Sequence, residues 1–364
     1  MQGIMTWSFA MSERISANEA VELFENGELL DLGLAADAVC RRLHPEPYRT
    51  YVVDRNINYT NVCVSGCRFC AFYRDADSPD AYLLNDEEIH AKIAEAVELG
   101  ATQILMQGGL HPDLDIAYFE ALVRGIKERF QVHLHSFSPP EIVHIAQVSG
   151  VSINDTIARL KDAGLDSIPG GGAEILTDAS RESLSPKKCS ASRWLEVMEV
   201  AHEMGMRTTA TMMFGHRETF AERVEHLARI RDLQDRTGGF TAFIPWTFQP
   251  ENTELGGQVP RERAFRSVGT VGGYDYLRTL AISRLFLDNV ANIQASWVTQ
   301  GEKVGQIALH FGANDLGSTM IEENVVAAAG VRFRMSEEEL RRAIAEAGFE
   351  PRKRDTYYRI LEER

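Results

Sequence analysis

Two kinds of apolar pattern alternate along most of the chain. Short runs rich in β-branched and aromatic residues predict strands, and longer segments with apolar residues three or four positions apart predict helices. One such helix face carries Phe119, Leu122 and Ile126, and Gly164 closes a later helix. The eight predicted strands lie near residues 52, 103, 132, 166, 207, 241, 292 and 312.

Regular alternation of strands and helices implies parallel strands joined by right-handed crossovers. Eight such units predict an α/β fold of the (β/α)8 TIM-barrel type, although an open doubly wound sheet stays possible because periodicity does not establish closure. We expect helical additions at both ends of the barrel. The expected boundaries are an N-terminal helical extension at 1–48 (irregular over 1–10), the barrel at 49–330 and a C-terminal helical segment at 331–364.

Composition narrows the possible partners. The 364 residues are 44% hydrophobic and 25% charged, as in ordinary globular proteins. A formal net charge of -15 argues against general nucleic-acid binding. No apolar run approaches the roughly 18 residues that a membrane span needs, and the first ten residues lack the charged start of a signal peptide. We therefore expect a cytoplasmic protein without nucleic-acid or membrane partners.

Three of the five cysteines follow the first predicted strand in the spacing C-x3-C-x2-C. They are Cys63, Cys67 and Cys70. Clustered cysteines without a secretory signal indicate a metal site in a reducing compartment and not disulfides. Three thiolates can hold three irons of a cubane cluster and leave the fourth iron open to a ligand. A zinc site completed by a distant histidine is the alternative on spacing alone.

Residues that follow the carboxyl ends of barrel strands build the active sites of such folds. Polar groups and glycines occur at these positions after every predicted strand. Gly108 and Gly109 permit close backbone approach of a ligand, although a tight turn explains them equally well. His135 is a candidate proton-transfer residue, with a hydrogen-bonded core histidine as the equal alternative. His216 and Glu218, after the fifth predicted strand, are the favoured proton acceptors.

Several segments together resemble one family of radical S-adenosylmethionine (SAM) enzymes. These are the dehypoxanthine futalosine cyclases of menaquinone biosynthesis, and the similarity covers about residues 50 to 330. The opening residues and the irregular piece 254–273 match poorly, so no role is assigned to them. The matching segments include NYTNVC, CRFCAFYR, ILMQGGLHPDL, HLHSFSPPEI, DSIPGGGAEIL, TTATMMFGH, IPWTFQPENT and FGANDLGSTMIEENVV.

The resemblance implies a cofactor set and a reaction. The three cysteines would bind a [4Fe-4S] cluster whose open iron chelates SAM. One electron from a flavodoxin or ferredoxin would cleave SAM to a 5′-deoxyadenosyl radical. That radical would take the C4′ hydrogen of dehypoxanthine futalosine, and the substrate radical would close a ring onto its own benzoate group. The expected cofactor contacts are Phe69, Gln107, Gly108, Gly109, Ser136 and Glu174.

The sequence pattern is also compatible with other functions. Aminofutalosine synthase and deazaflavin synthase share the same cluster loop and barrel, and product analysis would separate them. A non-catalytic iron–sulfur electron carrier needs no polar barrel mouth, and would form no 5′-deoxyadenosine. A zinc-dependent barrel hydrolase would contain zinc without iron or sulfide.

Overall fold

The computed structural model describes residues 14–257 and 271–361. The expectation for residues 1–10, and most of the irregular piece 254–273, lie outside the described residues. Strands occur at all eight predicted positions, the first of them in two parts. They are β1 (Tyr48–Val52), β2 (Asp54–Ile57), β3 (Gln103–Met106), β4 (His133–Ser136), β5 (Ser167–Ile168), β6 (Arg207–Phe214), β7 (Phe240–Thr247), β8 (Asn292–Ile293) and β9 (Asp315–Ser318).

The strands β2 to β8 form one parallel sheet in which each strand pairs with the next one along the chain. Strand β9 pairs with β1 and reaches β8 through a parallel bridge between Gln294 and Asp315. Because β1 leads directly into β2, the pairing of neighbouring strands is continuous round the barrel, from β2 through β8 and β9 to β1. The order never reverses, so the doubly wound alternative is wrong and the predicted (β/α) barrel is confirmed.

Helices with one apolar face cover the outside of the sheet. The helix α3 (Asp86–Glu98) shows why they form: Asn85 caps its first turn, Glu88 completes the capping box, and Ile89 and Ile93 are buried. Helix α6 ends at Gly164, whose positive φ of 116° favours glycine. The larger outer helices are α3 (Asp86–Glu98), α4 (Ile116–Arg129), α5 (Pro139–Ser149), α6 (Ile153–Ala163), α8 (Ala191–Glu203), α9 (Phe220–Thr237) and α11 (Gly273–Phe286).

Short helices occupy several of the loops. They are α7 (Asp178–Leu184), α10 (Glu254–Gly257), α12 (Trp297–Gln300), α13 (Glu302–Ala308) and α14 (Val325–Ala328). Within the described ranges, no helix is long and apolar enough to cross a membrane.

Two helices precede the barrel, α1 (Ala17–Asn26) and α2 (Leu29–Leu43). Helix α1 packs on α9 and α11, and α2 packs along α11. Cys40 is fully buried in α2, with its Sγ atom 3.7 Å from the carbonyl oxygen of Ala313. This cysteine therefore belongs to the packing between the N-terminal helices and the barrel.

The C-terminal segment differs from its prediction. It contains the expected helix α15 (Glu337–Glu346), but also a strand, β10 (Glu350–Lys353), which pairs in parallel with β1. The chain then turns into the barrel, where Arg354 forms a buried ion pair with Asp315 at 2.5 Å. Thr356 donates to the side chain of Gln103 at 2.6 Å. Since Gln103 and Asp315 begin their strands, this segment closes the barrel at the end opposite the cysteine loop.

Candidate active site

The cysteine loop begins after β2 and is held by backbone hydrogen bonds to its neighbours. The amide of Cys63 donates to the carbonyl oxygen of Arg74 at 3.0 Å. The amide of Val64 donates at 3.0 Å to the carbonyl oxygen of Leu110, in the loop after β3. The amide of Arg68 donates at 2.9 Å to the carbonyl oxygen of Leu184, the last residue of α7. Three separate parts of the chain therefore fix the loop at the carboxyl end of the barrel.

Gly108 and Gly109 owe their identity to the close approach of this loop. A β-carbon on Gly108 would lie 2.6 Å from the ring of Tyr59, and one on Gly109 would lie 2.1 Å from the carbonyl oxygen of Val62. Both amides are already used: Gly108 donates to Glu141 at 3.0 Å and Gly109 to the carbonyl oxygen of Thr60 at 2.9 Å. Packing against the cysteine loop explains both glycines, and their contact with a cofactor stays a prediction.

Glu174 forms a charged group with a lysine beside the cysteines. Lys188 Nζ lies 3.0 Å from Glu174 Oε1 and 5.3 Å from the centre of the Phe69 ring, and Arg181 lies 3.5 Å from the other carboxylate oxygen. Burial alone would lower the pKa of Lys188, but the charges of Cys67 and Glu174 outweigh it and raise this pKa above its usual value. The ammonium group therefore stays charged next to the cysteine loop.

The donor set fits a [4Fe-4S] cluster. Cys63, Cys67 and Cys70 supply three soft thiolate ligands from one short loop, which is the ligand chemistry that iron–sulfur clusters use. The neighbouring Lys188 cation suits the negative charge of a three-thiolate cluster. Among the described residues, no three His, Cys, Asp or Glu side chains are placed to hold one metal ion. A cubane does not require such convergence, because each thiolate binds a different iron.

A cavity of about 280 Å³ lies inside the barrel. Its wall includes two of the predicted site residues, Gln107 and His135, and apolar surface from Trp246 and Trp297. Further polar groups come from strands on every side of the barrel. They include Asn56, Thr209, Thr211, Gln294, Ser296 and Glu323. The predicted residues Ser136, Glu174, His216 and Glu218 do not contribute to this wall.

Both ring nitrogens of His135 form hydrogen bonds. Nδ1 lies 2.6 Å from Ser167 Oγ, and Nε2 lies 3.2 Å from Thr209 Oγ1. Burial, with a smaller contribution from His133, lowers the pKa of His135 to about 3. The imidazole is therefore neutral and anchored, as the core-histidine alternative describes. Its role in proton transfer stays a prediction.

Glu218 and His216 lie in the loop after β6, away from the cavity. The Glu218 carboxylate accepts hydrogen bonds from the amides of Gly215 at 2.6 Å and His216 at 2.9 Å. It also forms an ion pair with Arg223 at 2.8 Å. Burial opposes ionisation of Glu218, but the His216 ring, whose Nδ1 lies 3.0 Å from Oε2, and then Arg223 and the amide of Gly215 outweigh it and lower the pKa of Glu218 to about 2. A carboxylate with such a pKa is a weak base. The assignment of both residues as proton acceptors stays a prediction that this geometry does not favour.

Ser136 carries a buried hydroxyl group whose hydrogen-bonding capacity is not used within the described residues. It is fully buried at the end of β4, and its Oγ atom has no hydrogen-bond partner among the described residues. A buried hydroxyl without a partner costs free energy, which a bound polar group would recover. Its predicted contact with the cofactor is compatible with this observation.

Comparison with known proteins decides the family. The sequence profile of the radical SAM superfamily matches residues 57–230, which include the cysteine loop, and the profile of the CofH/MqnC C-terminal region matches residues 237–364. The chain belongs to the radical SAM family. It is therefore a radical SAM enzyme of the CofH/MqnC group, and this family implies a [4Fe-4S] cluster and SAM as cofactors.

Two cyclic dehypoxanthine futalosine synthases are similar to this radical SAM enzyme over nearly its whole length. The protein of Halalkalibacterium halodurans is 49% identical over 350 residues, which are 96% of this chain and 92% of that relative. The protein of Streptomyces coelicolor is also 49% identical, over 97% of this chain and 87% of its own. A 5-amino-6-(D-ribitylamino)uracil–L-tyrosine 4-hydroxyphenyl transferase from Archaeoglobus fulgidus is 43% identical over 86% of this chain and 89% of its own.

Solved structures share the fold at low sequence identity. The FeFe-hydrogenase maturase HydG from Carboxydothermus hydrogenoformans matches with a TM-score of 0.72 and 17% identity, over 95% of this chain and 78% of that one. Methylornithine synthase (PylB) matches with a TM-score of 0.72 and 18% identity, over 94% and 95% of the two chains. These similarities support the barrel fold alone.

Proposed function

We propose that this radical SAM enzyme cyclises dehypoxanthine futalosine in menaquinone biosynthesis. The observation that carries the proposal is the 49% identity, over nearly the full length, with two synthases named for the cyclic product. The cavity inside the barrel agrees with it, because a reaction through a carbon radical needs an enclosed, water-poor space. The site would lie between the cysteine loop and the C-terminal segment that closes the far end.

Cys63, Cys67 and Cys70 would hold the cluster, with Lys188 supplying a positive charge beside it. Phe69 packs against a buried apolar cluster beside the loop, formed by Leu184, Met213, Phe248 and Leu255. When bound, the cluster and SAM supply the 5′-deoxyadenosyl radical that takes the C4′ hydrogen of the substrate.

The remaining predicted cofactor contacts lie at neighbouring strand ends. Gln107 borders the cavity, and Ser136, whose hydroxyl has no partner among the described residues, would contact SAM. Glu174 would act on SAM through the charged group that it forms with Lys188. Gly108 and Gly109 would leave their carbonyl groups for the amino group of SAM, since both amides are engaged within the protein.

The cavity wall would orient the substrate for ring closure. Trp246 and Trp297 offer flat apolar surfaces to the benzoate ring, while Gln107 and Gln294 present amide groups to polar atoms. Holding C4′ near the attacked ring carbon removes most of the entropic cost of closure. The electron for SAM cleavage would come from a one-electron donor such as a flavodoxin or ferredoxin, and the protein would act in the cytoplasm.

A comparison of two substrates tests this function. Reconstituted, reduced enzyme with SAM should convert dehypoxanthine futalosine into its cyclised product, identified by mass spectrometry. The same enzyme should give no coupled product from 5-amino-6-(D-ribitylamino)uracil and L-tyrosine, the pair named for the 43% identical relatives. The reverse result would assign the chain to the transferases, and formation of aminofutalosine from an enolpyruvyl substrate would assign it to the aminofutalosine synthases.

A further inference from the structure

Glu323 carries a carboxylate on the cavity wall at the same end of the barrel as the cysteine loop. It follows the carboxyl end of β9, and its Oε1 atom accepts the amides of Val325 at 2.7 Å and Val326 at 3.0 Å. Its Oε2 atom accepts Nδ2 of Asn56 at 2.8 Å. Asn56 belongs to β2, the strand that leads into the cysteine loop. The carboxylate is therefore fixed beside the strand that leads into the loop of the cluster ligands.

No basic side chain neutralises this carboxylate among residues 14–257 and 271–361. The adjacent Glu322 differs, because it pairs with Arg55 at 2.7 Å and Lys92 at 2.8 Å and does not line the cavity. Burial raises the pKa of Glu323, and the charge of Asp54 adds to the effect. Glu323 faces the cavity and forms no ion pair among the described residues, whereas Glu218 is paired with Arg223. Glu323 therefore binds a proton more readily than Glu218 and is the better base.

Asn56 gives this wall a second unused polar group. It is 4% exposed, and its Oδ1 atom has no hydrogen-bond partner among the described residues. The donation from Nδ2 to Glu323 fixes the amide so that Oδ1 remains an acceptor. Because Asn56 lines the cavity, that acceptor is available to a hydroxyl group of a ligand. Glu323 and Asn56 together form a site for a ligand that offers both a hydroxyl group and a removable proton.

We propose that Glu323 is the base that accepts the proton lost during ring closure, and that Asn56 orients its carboxylate. This inference rests on the proposed cyclase function. A bond forms between C4′ and a carbon of the benzoate ring, and that ring carbon still carries its hydrogen. Glu323 takes this hydrogen as a proton, and the electron pair of the broken C–H bond returns to the ring. The unpaired electron leaves to a one-electron acceptor of the iron–sulfur class, which restores aromaticity.

The variant Glu323→Gln tests the assignment, since an amide keeps the shape and loses the basicity. In a single turnover, radical formation precedes the proton transfer, so the first equivalent of 5′-deoxyadenosine should form at nearly the wild-type rate. Loss of general-base catalysis should slow formation of the cyclised product by about 100-fold. The ratio of 5′-deoxyadenosine to cyclised product should therefore rise strongly. Glu323→Asp keeps a carboxylate and should restore part of the product.

Glu322→Gln is the matched control, because it removes the neighbouring carboxylate outside the cavity and should leave the ratio unchanged. An unchanged ratio in Glu323→Gln, or an equal fall of both compounds in folded, cluster-loaded protein, would overturn the assignment. If Glu323→Gln does not fold, Asn56→Ala decides: the ratio should rise about tenfold as the base loses its orientation, and an unchanged ratio counts against the proposal. Absence of cyclised product with the wild-type enzyme would instead refute the proposed function.

Discussion

Replacing Cys67 with alanine is expected to abolish cleavage of SAM. The variant keeps two of the three thiolates on the loop, which are too few to retain a cluster with one open iron. Without that cluster no electron reaches SAM. The measurement is 5′-deoxyadenosine formed under anaerobic reduction, together with the iron and sulfide content of the reconstituted protein.

Cys40→Ala is the control for this substitution. Cys40 is buried in α2 between the N-terminal helices and the barrel, so its loss should cost about 1 kcal/mol of stability and leave SAM cleavage unchanged. Retention of 5′-deoxyadenosine formation by Cys67→Ala would remove Cys67 from the ligand set. Its loss in Cys40→Ala as well would point to misfolding as the common cause.

Gly109→Ala should have the next largest effect, although the added methyl group touches no cofactor ligand atom directly. Its β-carbon would lie 2.1 Å from the carbonyl oxygen of Val62 and 2.9 Å from the β-carbon of Cys63. Both contacts belong to the cysteine loop, so relief requires the loop to move. A displacement near 1 Å at a reacting centre costs about 100-fold in rate. We expect that loss in 5′-deoxyadenosine formation, with lower iron content.

Gly125→Ala provides the comparison, because the nearest atom to its added β-carbon is 3.8 Å away, on His90. Gly125 lies inside α4, where alanine is favoured over glycine by about 0.5–1 kcal/mol. That variant should be as active as wild type and slightly more stable. Equal activity of Gly109→Ala and wild type would show that the loop tolerates displacement.

The barrel was predictable because local pattern and global fold agree. The capping box and apolar face of α3 are visible in neighbouring residues, and strand and helix patterns alternate along the chain. Strand β10 was missed for a physical reason. Its sequence, Glu350–Lys353, has no apolar alternation, and none of its residues is fully buried. Pairing with β1 makes it a strand, and that pairing depends on a contact some 300 residues away in sequence.

The candidate site likewise has residues that the sequence predicts and residues that only the fold brings together. The spacing of Cys63, Cys67 and Cys70 is local and was readable directly. Lys188 is not among the predicted site residues, because nothing near it in sequence reveals the approach of Glu174 and Phe69. Nothing local in the sequence predicts Glu323 as a site residue, because it lines the cavity only when β9 pairs with β1.

Transfer of hydrogen from C4′ to the adenosyl group is the step that distinguishes the proposed cyclase from other radical SAM reactions. The enzyme should be incubated anaerobically with reductant, SAM and dehypoxanthine futalosine that carries deuterium at C4′. We expect 5′-deoxyadenosine with one added deuterium, and a cyclised product that has lost the deuterium. Unlabelled 5′-deoxyadenosine, with all deuterium retained in an uncyclised substrate, would contradict it.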